Sequence, residues 1–120
     1  MKHTELAWAA GFWDGEGTTF THLQHYKAVG GAVHDYRNPS LNVKQSGTKA
    51  LLERFQAALG GLGKIYGPYK HSQGGNRKDV YGWYLNDWRL VQQALAYVWS
   101  YLGDEKKDQA KRVFQECRKD

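Results

Sequence analysis

Glycines divide this sequence into short segments, and each segment has its own hydrophobic pattern. Before Gly15 the apolar residues are crowded into one stretch, whereas residues 18–29 are rich in Thr, His, Gln and Tyr. The pair Gly30-Gly31 separates that polar stretch from a second extended one, so the two predict a β-hairpin. The glycines therefore mark where the helices and strands are expected to end.

The hydrophobic periodicity predicts an α+β fold of order αββαββα with an additional C-terminal helix. The first helix is expected from about Thr4 to Asp14, with Thr4 as its N-cap and Gly15 or Gly17 as a left-handed stop. Strands are expected at 18–29, 33–45, 64–70 and 80–86, and the later helices at 50–59, at 90–102 and after a capping Asp104. Two hairpins then form a four-stranded antiparallel sheet with helices on one face and the other face open. Residues 1–120 are expected to be a single domain.

The charge balance favours an anionic partner, since 17 Lys and Arg face 12 Asp and Glu, a net charge of +5. The alternative is a solubilising surface charge. A single cysteine, Cys117, excludes an intrachain disulfide and a cysteine-based zinc site, and fits a reducing compartment. The polar start contains no signal peptide or membrane span, so we expect a cytoplasmic protein acting on a nucleoid or organelle genome, not a secreted or membrane-bound one.

The first helix carries a stripe of small residues at helical spacing, formed by Ala7, Ala10, Gly11 and Asp14. Glycine inside a helix costs about 1 kcal/mol relative to alanine, so Gly11 suggests that a neighbouring backbone needs the space. Two interpretations remain open. The helix packs closely on its own sheet, or it packs against its twin from a second subunit across a two-fold axis.

The end of this helix, Asp14-Gly15-Glu16-Gly17, places two carboxylates where the helix dipole is already negative. Carboxylate and carbonyl oxygens on glycine-rich backbone suit a hard cation such as Mg2+. An ordinary acidic turn explains the same residues. His22 and His25 do not offer a second metal site, because residues three apart on a strand point to opposite faces.

The segment from Ala9 to Gly17, preceded by Leu6, resembles the LAGLIDADG motif of homing endonucleases, with only the first Leu of the nonamer replaced, by Ala9. Residues 39–45, 51–52 and 62–65 resemble the strand-helix-strand segment of the same family. The likeness covers nearly the whole chain, although only the nonamer is highly specific.

The resemblance implies a metal site. In this family the second acidic residue of the motif holds the metal, which points to Glu16, and the backbone carbonyl matching Gly15 can join it. The first acid, matching Asp14, supports the motif helix. The implied cofactor is Mg2+, with Mn2+ or Ca2+ able to substitute in binding, and no organic cofactor is implied.

The resemblance also implies three further catalytic residues. Gln45 aligns with a polar residue that orients water near the scissile phosphate, and Lys49, on the following helix, matches a basic position of the same solvent network. Lys106 lies in a segment that resembles the one bearing the family's catalytic lysine, with Lys107 as the competing choice. For each of these residues the alternative is a solvated surface side chain.

The function implied is that of a homing endonuclease of a mobile genetic element. Such an enzyme hydrolyses both strands of double-stranded DNA at a long, nearly palindromic site. One motif per chain implies a homodimer, in which the two Glu16 residues meet at the paired helix ends. The alternative is a DNA- or RNA-binding module without cleavage on the same scaffold, such as a maturase-like splicing helper or a regulator.

The open sheet face is predicted to lie along the major groove, which admits a β-ribbon. Its predicted DNA-contacting residues alternate along the first two strands and continue on the second hairpin and its basic loop. They are Thr18, Phe20, His22, Gln24, Tyr26, Tyr36, Asn38, Ser40, Asn42, Tyr66, Lys70, Arg77, Lys78 and Tyr84.

Overall fold

The computed structural model describes residues 2–27, 29–69 and 79–117, with the side chains of Tyr26 and His34 excepted. In chain order the helices and strands are α1 (His3–Glu16), β1 (Gly17–Lys27), β2 (Val33–Ser46), α2 (Ala50–Ala58), β3 (Lys64–Tyr69), β4 (Val80–Leu85), α3 (Trp88–Val98), a 3-10 turn (Trp99–Tyr101) and α4 (Asp104–Cys117). This order confirms the αββαββα prediction with its additional C-terminal helix.

The four strands form one antiparallel sheet in the order β1-β2-β4-β3. Gly17 is paired with Val43 and Lys27 with Val33, so β1 and β2 form a long ribbon. The same stretch of β2 is paired on its other side with β4, where Val43 faces Trp83. β1 is therefore an edge strand, and β2 lies inside the sheet where the helices cover it.

One face of the sheet is buried beneath all four helices. Its core residues are Leu41 and Val43 of β2 and Trp83 and Leu85 of β4, which alternate along their strands as a half-buried sheet requires. Trp13 of α1 and Phe55 of α2 meet Trp83 edge-on, with ring centroids 6.3 and 4.9 Å away. On the opposite face the side chains of Gln24, Lys44 and Tyr66 are exposed.

The predicted ends of α1 are both wrong. The helix begins at His3 rather than beyond Thr4, and no side chain caps its first turn. It runs through Gly15 to Glu16, and Gly17 has an extended backbone (φ −88°) instead of a left-handed one. A left-handed stop turns the chain away, whereas here the helix continues directly into β1.

Other boundaries differ by a few residues. β1 ends at Lys27, and Lys49 precedes α2 rather than lying on it. The third helix starts at Trp88, because the Asp87 carboxylate accepts hydrogen bonds from the first-turn N–H groups, and α4 begins at Asp104 itself. Within the described residues no helix is both long and apolar enough to cross a membrane.

Candidate active site and nucleic-acid interface

The junction between α1 and β1 lies at the free edge of the sheet, where α4 covers it. Three residues of α4 and the turn before it, spaced at intervals of three, contact this junction. The Gly103 N–H donates to both oxygens of Asp14 at 3.0 and 3.1 Å. One helical turn later, Lys106 Nζ donates to the Gly17 carbonyl at 2.7 Å. The start of α4 is therefore attached to the segment that contains Glu16.

Gln109 makes the third of these contacts. Its side-chain oxygen accepts a hydrogen bond from the Thr19 N–H at 3.0 Å. Thr19 is almost fully buried and Gln109 is half-buried, so water competes little for this bond. Gln109 is not among the site residues predicted from the sequence. Its spacing from Lys106, which puts both on one helix face, is the signal that would have found it.

The two candidate lysines of α4 point in different directions. Lys106 reaches the carbonyl of the residue that follows Glu16, whereas Lys107 Nζ lies 5.8 Å from the centre of the Trp99 ring. Lys107 thus lies against an aromatic side chain, in a weak cation–π contact. Of the two, the structure places only Lys106 at the junction.

Asp14 is not the unfavourable charge that its position at the end of α1 suggested. Its carboxylate accepts the Gly103 N–H just before the first turn of α4, where the positive end of that helix dipole lies. The negative end of one helix and the positive start of another therefore meet at this carboxylate. Asp14 joins α1 to α4, and Glu16 has no comparable bond among the described residues.

Glu16 and Gly15 are both exposed at the end of α1. The carbonyls of a last helical turn lack partners within the helix, so the Glu16 carboxylate and the Gly15 carbonyl form a small group of oxygen donors. In the described residues no set of three or more His, Cys, Asp or Glu side chains could hold an ion. These donors fit Mg2+, which usually takes one or two protein carboxylates and completes its coordination with water or phosphate.

Gln45 and Lys49 lie at the same end of the sheet as Glu16 but do not contact it. Gln45 is two residues beyond Val43, the partner of Gly17, and it is half-buried opposite Tyr81. Lys49 and Tyr81 line a cavity of about 440 Å³ between α2 and β3. Within the described residues no hydrogen bond joins Glu16 to Gln45 or Lys49.

The small-residue stripe of α1 is divided between two sides of the helix. Ala10 is fully buried in the core of the chain, so its placement on an interface is wrong. Ala7 and Gly11 are exposed, and a Cβ added at Gly11 or Gly15 would meet no atom within 4 Å. The chain's own packing therefore does not explain Gly11, and the close-packing alternative is wrong for that residue.

The predicted polar rows share the open face of the ribbon. Thr18, Phe20, His22 and Gln24 of β1 lie directly opposite residues of β2, and directly paired residues project to the same face. The partners are, in the same order, Asn42, Ser40, Asn38 and Tyr36. Tyr66 and Tyr84 continue this face on the second hairpin, with ring centroids 5.7 Å apart.

Several of these side chains bond to one another. Asn38 donates to the Gln24 carbonyl oxygen at 2.7 Å, and His22 bonds to Ser40 through Nδ1. Ser40 is fully buried, so its prediction as a DNA contact is wrong, because its hydroxyl is available only to His22. His25 points to the other face and bonds to Asp35 at 2.5 Å, which confirms that the two histidines do not share a site.

The open face also carries two lysines that are not among the predicted DNA contacts. Lys44 follows Asn42 by two residues and is paired with Gly82, and Lys64 is paired with Tyr84. The alternation of β2 would have identified Lys44.

The hydroxyl of Tyr69, on β3, forms a hydrogen bond with Tyr84 of β4, and this bond raises the pKa of Tyr69. The predicted contacts at Lys70, Arg77, Lys78 and the Tyr26 side chain lie outside the described residues.

No protein-family model and no curated protein sequence matches the chain. Solved structures do match. The homing endonuclease I-CvuI in complex with its target has a TM-score of 0.68 and 26% identity over 93% of this chain and 64% of its own. The LAGLIDADG homing endonuclease I-GzeII, with a DNA target, has a TM-score of 0.67 and 18% identity over 92% of this chain and 34% of its own.

The group I intron-encoded homing endonuclease I-CeuI, complexed with DNA, has a TM-score of 0.65 and 13% identity over 95% of this chain. This chain spans about a third to two thirds of the length of these three structures. The architecture and the acidic end of α1 define the homing-endonuclease class of α+β fold. The chain is thus similar in fold to the LAGLIDADG homing endonucleases, and its sequence carries one recognisable copy of the motif.

Proposed function

We propose that the chain is a site-specific DNA endonuclease that hydrolyses phosphodiester bonds with a divalent metal at Glu16. The observation that carries the proposal is the position of Lys106, whose ammonium is bonded one residue beyond Glu16 at the edge of a polar sheet face. A carboxylate and a cation so close together suit a reacting phosphate. A protein that only binds DNA gains nothing from an acid beside phosphate.

In this proposal the Glu16 carboxylate and the Gly15 carbonyl hold Mg2+. A bound divalent ion supplies charge to the phosphate and lowers the pKa of its water. Lys106 offers its remaining N–H donors to the phosphate or the leaving oxygen, and Gln45 orients water from the end of β2. Lys49 adds positive charge to the same solvent network. The open face binds the duplex and sets which phosphate lies at the acidic end of α1.

The solved structures support a DNA partner and a divalent metal. I-CvuI was crystallised with its target in the presence of calcium, and with another target in the presence of magnesium, where the DNA was not cleaved. In this chain the argument for base reading is the row of polar side chains on the open face, among them Thr18, His22 and Gln24 of β1.

Incubation with a randomised duplex library and Mg2+ tests the activity. We expect wild type to cut selected sites, and Glu16→Gln to bind them while losing at least about 100-fold in rate, because a neutral amide neither carries the charge nor holds the ion. Glu53→Gln, an exposed change on α2, is the matched control. If wild type binds sites without cutting either strand, the chain is the non-cleaving binding module instead.

We further propose that the active form is a homodimer joined along the exposed side of α1. The support is Gly11, an exposed helical glycine with open space around it that its own chain does not require. A second α1 lying there would bring two Glu16 residues together, as cutting both strands requires.

Sedimentation of the chain with and without a selected duplex tests the dimer. We expect a dimer for wild type and a shift towards monomer for Gly11→Leu, because the longer side chain prevents close approach of two helices. Ala96→Leu, at an exposed position of α3, should leave the dimer intact. A wild-type complex with one chain per duplex would contradict the two-fold arrangement.

A further inference from the structure

The free edge of β1 carries backbone groups that no strand satisfies. In an edge strand the N–H and C=O groups of alternate residues point away from the sheet. Gly17 and Thr19 are alternate residues, and their carbonyl and N–H face α4. Since Thr19 is only 2% exposed, an unpaired N–H there would be costly.

A neighbouring strand would offer β1 one hydrogen-bond donor and one acceptor, and α4 supplies both with side chains. Lys106 donates to the Gly17 carbonyl at 2.7 Å, and Gln109 accepts from the Thr19 N–H at 3.0 Å. The two roles cannot be exchanged, because an ammonium has only donors while a carboxamide oxygen accepts. Gln109 thus supplies the acceptor that the Thr19 N–H requires.

Lys106 cannot hold its own position. Its ammonium lies at the end of four flexible carbons, and the residue belongs to the first turn of α4, where helices fray. Asp14 holds Gly103 before that turn, but this contact is exposed. Gln109 lies one turn further in, and its half-buried bond to Thr19 limits rotation and sliding of α4 against β1.

We propose that Gln109 is a positioning residue, which holds Lys106 beside Glu16 by fixing α4 on the free edge of β1. The inference rests on the proposed function for its catalytic meaning, but its structural content concerns the protein without DNA. Gln109 does not touch the phosphate. It acts only through the placement of Lys106.

Lysine labelling of the folded protein tests this placement without DNA. With a brief pulse of an amine-reactive ester, Lys106 in wild type should react about tenfold more slowly than the exposed Lys111, because its half-buried Nζ must first break its hydrogen bond to the Gly17 carbonyl. Gln109→Leu should raise Lys106 labelling severalfold and leave Lys111 unchanged. Gln109→Glu keeps an acceptor oxygen and should restore slow labelling of Lys106.

Gln115→Leu is the matched control, the same substitution at an exposed position of the same helix. Labelling of Lys106 that does not change in Gln109→Leu, or that rises equally in Gln115→Leu, would overturn the proposal. Exchange of the Thr19 amide hydrogen, followed in the same variants, reports the hydrogen bond itself. It should accelerate only in Gln109→Leu.

Cleavage of a selected duplex separates the two proposals. Gln109→Leu should lower the single-turnover rate about tenfold while leaving the Kd for DNA unchanged, as loss of one placed donor does. If Gln109→Leu raises Lys106 labelling but leaves the cleavage rate unchanged, the position of Lys106 does not affect the chemistry. That result would overturn the catalytic role proposed for Gln109. If wild type cuts no DNA, the proposed function fails, and the labelling experiment still decides whether Gln109 positions Lys106.

Discussion

Gly15 and Gly17, at the end of α1, are separated by one residue, and glycine occurs at the two positions for different structural reasons. A Cβ on Gly17 would lie 2.7 Å from Cδ1 of Trp13, whose ring is fully buried and cannot retreat. A Cβ on Gly15 would meet no atom within 4 Å. Gly17 is therefore required by the packing of its own chain, whereas Gly15 is free for a role outside it.

Alanine substitution at these two positions should have opposite effects on stability. We expect Gly17→Ala to lower the free energy of unfolding by about 1–3 kcal/mol, as overpacking of a core does. Gly15→Ala should raise it by up to about 1 kcal/mol, because alanine favours the helix. Urea denaturation of the two variants measures the difference. Equal effects of the two changes would contradict this division of roles.

At the scale of elements, α1 is attached to a neighbour on each flank. On one side Glu5 accepts two hydrogen bonds from Arg54 of α2, at 2.8 and 3.0 Å, and the Arg54 guanidinium lies 3.9 Å from the centre of the Trp8 ring. On the other side Asp14 holds Gly103. The helix that ends at Glu16 is thereby fixed between α2 and α4.

The contact between α1 and α2 predicts a pH dependence of stability. Hydrogen bonds from Arg54 lower the pKa of the Glu5 carboxyl below its ordinary value. The stabilisation is therefore present above about pH 4.3, the ordinary pKa of Glu, and is lost as the pH falls through the lowered pKa. Denaturation of Glu5→Gln should show a deficit at pH 7 that shrinks towards pH 2. The matched variant Glu116→Gln, at an exposed acid in the last turn of α4, should show no such deficit, and a deficit independent of pH would contradict the explanation.

Over the whole molecule, the two faces of the sheet differ in what they contact. Helices bury one face, and polar residues cover the other. Lys44 and Lys64 belong to the open face, whereas Lys111 is exposed on the helical side, where it lines a groove with Leu95 and Trp99. The net charge of +5 matters for DNA binding only where its cations face the duplex.

Salt dependence of DNA binding tests this division. Lys44→Gln should reduce the slope of log Kd against log salt concentration by about 0.9, the contribution of one neutralised phosphate, and weaken binding to all duplex sequences equally. Lys111→Gln changes the same net charge on the helical side and should leave the slope unchanged. Equal slopes for the two variants would mean that Lys44 does not contact the backbone.

Much of the architecture was predictable because local pattern carries it. Alternation along residues 18–24 and 36–42 identified the open face, and helical spacing from residue 50 onwards identified α2. The start of α3 escaped because its cap, Asp87, lies three residues before the apolar pattern begins at Leu90. Ser40 was misjudged because alternation says which way a side chain points but not what lies over it.

The sequence by itself determined the elements, the polar face and the acidic end of α1, because each depends on residues close together in the chain. Only the tertiary structure decided which distant residues meet that end, namely Gly103, Lys106 and Gln109, some 90 positions away. The same packing separated Lys106 from Lys107 and Ala10 from Gly11. Periodicity shows which side of a helix is buried, but the partner that buries it, and the backbone groups left unpaired on an edge strand, exist only once the chain has folded.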